Sequence, residues 1–113
     1  KHGRIVRTLL GVRYVMLNRA IARAYNTAVA NGAYVMIKNN QGEHGVVSSG
    51  PAEAAGVKGG DVILEINGEA TTAAKPLASI IAKYDPGVVV KLKILRAGTE
   101  LTLTATLGER TAD

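Results

Sequence analysis

Few residues in this 113-residue chain could do covalent chemistry, and their spacing argues against it. There is no Gly-x-Ser-x-Gly elbow, and Ser48-Ser49-Gly50 stands outside any such context. A catalytic triad needs a histidine. The two present are His2, in a leading segment, and His44, in a polar loop. With no cysteine and no carboxylate at ligand spacing, they do not make a zinc site. Gly50 and Gly56 are wrongly spaced for a phosphate loop, and no Gly-Lys-Ser/Thr follows. Asp61 and Glu65 could be read as a carboxylate pair, but Asp61 sits in a turn, where accepting from neighbouring backbone N–H groups is the expected role. No catalytic residue, metal or cofactor is therefore expected in this chain. Thr8–Gly11 reads as a loop, and such a loop can turn successive N–H groups inward as a nest that favours an anion. Gly11 allows a backbone conformation that a side chain would resist.

The elements that must position this loop are organised around Gly50–Gly68. Pro51 suits the first position of a helix. Ala52–Ala55 are mostly strong helix formers, and Gly56 can take the left-handed conformation that ends the turn. Gly59-Gly60-Asp61 makes a tight connection. Val62, Leu64 and Ile66 are expected on one side of a strand, with Ile63 on the other. Asn67-Gly68 is a strong hairpin signal.

Taken in order, Ile5 and Val6 start a short strand, Thr8–Gly11 forms the loop, and Val12–Leu17 continues as a strand. Asn18 caps a helix over Arg19–Tyr25. Ala33–Ile37 is a strand, and Lys38–Ser49 is a polar surface loop. A second helix runs from Lys75 to Tyr84, with Leu77, Ile80, Ile81 and Tyr84 on one stripe. Val88–Leu95 and Thr99–Leu107 alternate as an antiparallel pair, and Gly108–Asp113 is a polar tail. Short strands with two helices, rather than alternating βαβ units, indicate an α+β domain built on an antiparallel sheet or partly open barrel.

The length fits one domain. Phe and Trp are absent, so the core and any ligand pocket must be aliphatic. No apolar run approaches a membrane span, and no direct membrane insertion is expected. The formal charge of +5 is scattered rather than striped. It therefore argues against nucleic acid and is compatible with ligands ending in a carboxylate.

The stretch Gly50–Gly68 resembles the signature of bacterial PDZ domains, "SPAxxAGLxxGDVIxxING", with Gly50 in place of the leading Ser. Arg7-Thr8-Leu9-Leu10-Gly11-Val12 resembles the carboxylate-binding loop that opens these domains in HtrA/Deg-type serine proteases. Gly32-Ala33-Tyr34-Val35 resembles their "GAxV" strand, and Val88–Arg96 with Leu101–Leu107 their closing hairpin. The chain departs in its twelve residues at Lys38–Ser49, where the family has a few.

The resemblance implies a PDZ-like, partly open antiparallel β-barrel or sandwich of five to six strands with two helices. A linker from a preceding protease domain would occupy residues 1–7, the PDZ domain 8–109 and a tail 110–113. It implies strand addition of a peptide in a groove between Val12–Val15 and the second helix. The site residues would be Arg7, Leu9, Leu10, Gly11, Val12, Arg13, Tyr14, Leu77, Ile80 and Ile81. Leu9, Leu10 and Val12 are also core material, Arg7 also a solvated surface charge, and the helix stripe also core. An aliphatic lining favours chain ends with a small or aliphatic last residue. The implied parent is an extracytoplasmic serine endopeptidase, able to be a homo-oligomer, that uses this domain to recruit substrates or regulate itself. Alternatives are a module of a site-two metalloprotease, a C-terminal processing peptidase or a secretion component. A further one is a structural assembly domain whose own tail or long loop fills its groove.

Overall fold

A computed structural model describes residues 5–27, 29–37, 45–47 and 50–112, and for 5–7 and 110–112 the backbone alone. Strands β1 (Ile5–Leu9), β2 (Tyr14–Met16), β3 (Ala33–Val35), β4 (Val62–Ile66), β5 (Glu69–Ala70), β6 (Val89–Arg96), β7 (Thr99–Thr106) and β8 (Gly108–Ala112) alternate with three short helices. These are α1 (Arg19–Tyr25), α2 (Pro51–Ala55) and α3 (Leu77–Ile81). The main sheet runs β2-β3-β4-β6-β7, with β5 beside β4. It is antiparallel and open, as the α+β reading expects. Most of the long polar loop lies outside the described residues.

At β3 and β4 the sheet is covered on both faces, so these strands do not alternate simply between apolar and polar, whereas β6 and β7 do alternate. On one face Leu17, Ala22, Tyr34 and Val62 form a small cluster under α1. On the other, Val35, Ile63, Ile66, Leu92 and Ile94 join Leu77, Ile80 and Ile81 of α3 in the main core. Ile66 departs from the expected pattern: it packs with Ile63, not with Val62 and Leu64. The register against β6 slips between Ile63 and Glu65, and one extra residue turns the end of β4 over. The buried Thr71 serves this bulge, its hydroxyl donating to the Ile63 carbonyl (2.7 Å) and its N–H to that of Leu64 (2.9 Å).

Strand ends shift by one or two residues, and three larger departures bear on the site. Gly108–Ala112, expected within a polar tail, is a strand that pairs antiparallel with β1, from Ile5↔Ala112 to Leu9↔Gly108. The ladder needs only backbone groups, so a polar sequence can enter it. This pairing draws Thr8 and Leu9 out of the expected loop and into β1, leaving the turn to residues 10–13. The second helix is five residues long, because Pro76 is its extended N-cap and Lys83 and Tyr84 donate to carbonyls three residues back. By contrast Asn18 caps α1 as expected, accepting from the Ile21 N–H at 2.8 Å. Asn67 (φ 51°) and Gly68 (φ 84°) form the expected tight turn.

Candidate functional site

The central stretch builds the back of the site. Pro51 opens α2, and Ala52 follows with one of the amides that have no partner inside the helix. That N–H donates to the Leu10 carbonyl at 2.8 Å, while the Val47 N–H donates to the Gly11 carbonyl at 2.9 Å. A trans peptide sets its N–H opposite its C=O. With the Leu10 and Gly11 carbonyls held from behind, the N–H groups of Gly11 and Val12 face forward. Gly11 has φ +87°, a conformation that favours glycine, while a Cβ there would meet Pro51 Cδ at 3.4 Å, an ordinary contact. Asp61 supports α2 from beneath. Only 1% exposed, it accepts from the Lys58 N–H and from Arg96 Nε and Nη2 at 2.8, 2.9 and 2.7 Å. This is the turn-capping role its position implied. Those hydrogen bonds hold the Arg96 pKa above its usual value, and Nη2 also donates to the Gly56 carbonyl at the end of α2.

The strand after the loop offers a free edge. The Arg13 N–H donates to the Gly45 carbonyl, its own carbonyl accepts from the Met36 N–H, and the Leu17 N–H donates to the Gly32 carbonyl. These residues direct their backbone groups toward β3 and the 45–47 segment. By alternation Val12, Tyr14 and Met16 direct theirs to the opposite edge. The β2 strand ends the sheet, and among the described residues no strand pairs with that far side.

Opposite this edge stands α3. Leu77, Ala78 and Ile81 face Thr8–Val12 and Tyr14 across a cavity of about 140 Å³. Two hydrogen bonds hold the helix there. The Thr8 hydroxyl donates to the Tyr84 carbonyl just past the end of α3, and the Ala78 N–H in its first turn donates to the Tyr14 hydroxyl at 2.9 Å. Larger hollows of about 570, 350 and 310 Å³ lie near Ile37 and α2, beside α1, and near the β6–β7 turn; none of these touches the free edge of β2.

Of the expected site residues, the structure brings Leu9, Leu10, Gly11, Val12, Tyr14, Leu77 and Ile81 together around one cavity. Ile80 is not among them. It is 1% exposed in the main core, because it lies about 100° round the helix from Ile81. Arg13 lies next to this lining in sequence, but strand alternation sends its side chain to the other face. The side chain of Arg7 falls outside the described residues, and its backbone lies in β1. Thr8 and Ala78 were not singled out as site residues. Helix geometry alone did not single out Ala78, since positions 77, 80 and 81 span the same 100° arc as 77, 78 and 81.

Residues 8–107 match the model of the PDZ domain family. The chain belongs to the PDZ domain family. It is 38% identical, over 110 residues, to the periplasmic pH-dependent serine endoprotease DegQ of Escherichia coli (strain K12). That match covers 97% of this chain and 22% of DegQ. It is 32% identical over 111 residues to a probable periplasmic serine endoprotease, DegP-like, of Marinomonas sp. (strain MWYL1), covering 98% of this chain and 22% of that protein. The chain thus spans about a fifth of the length of these relatives. Among solved structures, the HtrA-type protease AlgW with decapeptide superposes with a TM-score of 0.81 at 29% identity, over 99% of this chain and 32% of that one. In this PDZ domain, then, the open edge, the forward amides and the apolar cavity fall side by side.

Proposed function

We propose that this PDZ domain recognises C-terminal or exposed hydrophobic peptides by strand addition, as the substrate-recruiting and regulatory domain of an HtrA-type serine endoprotease of the periplasm. The observation that carries the peptide reading is the free edge of β2, which begins at the forward-facing Gly11 and Val12 amides and runs beside an apolar cavity. The names of the relatives support the parent and compartment, and AlgW was solved with a decapeptide.

In this reading the terminal carboxylate lies against the amides of Gly11 and Val12, and the last side chain enters the cavity. A volume near 140 Å³ suits one aliphatic group; roughly 150 Å³ holds a benzene-sized ligand. Charge-assisted hydrogen bonds contribute about 1.5–3 kcal/mol each. The buried side chain adds about 1.5–3 kcal/mol. Association entropy opposes both by several kcal/mol. These terms alone fall short of a micromolar constant, about −8 kcal/mol, which is expected only with the backbone hydrogen bonds of strand addition counted as well. Coupling to a parent protease requires the peptide to bind two states of it unequally. The self-filled groove finds no support from the tail, whose residues 108–112 pair with β1.

Titration of the chain with a hydrophobic peptide ending in a free Val carboxylate, and with its C-terminal amide, tests the reading. The acid is expected to bind at least tenfold more tightly. Equal affinities would mean that internal segments are read instead of chain ends.

A further inference from the structure

We infer that Tyr14 sets which side chain is accepted at the third residue from the end of a bound peptide, a selectivity that rests on the strand-addition reading above. With the carboxylate at Gly11 and Val12, the ligand must run antiparallel to β2. Its last residue then lies opposite Val12, the next back opposite Arg13, and the third from last opposite Tyr14. Strand alternation puts the last and third-from-last side chains on the face that carries Val12 and Tyr14, toward α3. Directly opposed side chains on one face stand about 4.5–5.5 Å apart at Cβ.

At that level the space already has an occupant. The Tyr14 phenol reaches across from β2 and accepts the Ala78 N–H at 2.9 Å. Pro76, the N-cap of α3, makes no side-chain capping bond, so the phenol supplies the acceptor that the first turn lacks. The ring forms one wall of the cavity, with Leu77 and Ile81 beside it. A Gly, Ala or Ser at the third-from-last position leaves this bridge intact. A Leu or Phe there must push the ring aside and break the bond to Ala78. The ligand class is therefore a hydrophobic chain end with a small residue two places before the terminus.

The test uses two free-acid peptides that end in Val and differ only at that position, Ala in one and Leu in the other. Each is titrated against the 113-residue chain, Tyr14→Phe and Tyr14→Ala. The readout is the ratio of the two affinities within one protein, which a change in the folded fraction leaves unaltered. The parent chain should favour the Ala peptide by about three- to tenfold, the worth of one hydrogen bond. The ratio should shrink in Tyr14→Phe and vanish or reverse in Tyr14→Ala. The same ratio in all three proteins, or no preference in the parent chain, overturns the role of Tyr14 and leaves strand addition standing. Failure of both peptides to bind any of the three overturns both.

Discussion

Two five-residue helices flank the groove, α2 behind the loop and α3 across from the strand, and they are attached in opposite ways. The free amide of α2, from Ala52, bonds to a backbone carbonyl, that of Leu10. The free amide of α3, from Ala78, bonds to a side chain, the Tyr14 hydroxyl. A main-chain link is independent of side-chain identity and moves only if the backbone moves. A side-chain link can be released by one rotamer change. The wall that orients the carboxylate amides is thus built into the backbone, and the wall that sets the groove's width is tied on. An unvarying carboxylate suits the first wall, and variable side chains suit the second.

Substitutions that break one wall at a time sharpen the contrast, beginning with the largest effect. Arg96→Met leaves the buried Asp61 charge without its partner and releases the Gly56 carbonyl beneath α2. It should cost about 3–5 kcal/mol of stability, measured by urea denaturation. A loss below about 1 kcal/mol would show that α2 does not depend on this pair. Gly11→Val strains a position at φ +87°. It should weaken binding of a free-carboxylate peptide by about 2 kcal/mol or more while circular dichroism still reports the folded domain. Unchanged affinity would mean that these amides do not hold the carboxylate.

The α3 wall should respond more mildly. Thr8→Val removes the hydroxyl that holds the Tyr84 carbonyl and should cost about 1 kcal/mol in thermal denaturation. The smallest effect is expected at Glu69, whose carboxylate meets Lys83 and Lys75 on the surface. Its pKa is lowered from the usual 4.5, first by the hydrogen bond from Lys83. A lowered folded-state pKa contributes stability above about pH 4.5 that fades as the pH falls through the folded value. Glu69→Gln should therefore differ slightly from the parent chain at neutral pH and converge with it in acid. A gap that widens in acid would reverse the sign.

The same contrast separates what was legible in the sequence from what was not. The segment Gly50–Gly56 signals its structure locally through Pro51 at the first helical position and Gly56 at φ 97°, so α2 could be placed in advance. Gly11 was legible for the same reason, since its positive φ follows from a tight turn that only one residue type enters easily. The extent of α3 was not, because an apolar stripe from Leu77 to Tyr84 reads as helix whether its last turn is α or 3₁₀. The stripe also could not say whether Ile80 or Leu77 meets the groove, a matter decided by how the helix is rotated against β2. The β1–β8 pair and the Tyr14–Ala78 bond join residues far apart in the chain, and local pattern carries no trace of either.

The most direct measurement is the amide NMR spectrum of the labelled chain titrated with a hydrophobic peptide ending in a free Val carboxylate. The Gly11 and Val12 signals should move most, those of Arg13 through Met16 should follow along the free edge, and the amidated peptide should leave Gly11 and Val12 nearly still. Shifts confined to α1, the β6–β7 turn or the outer edge of β7, with Gly11 and Val12 unmoved by the acid, would contradict strand addition at this edge.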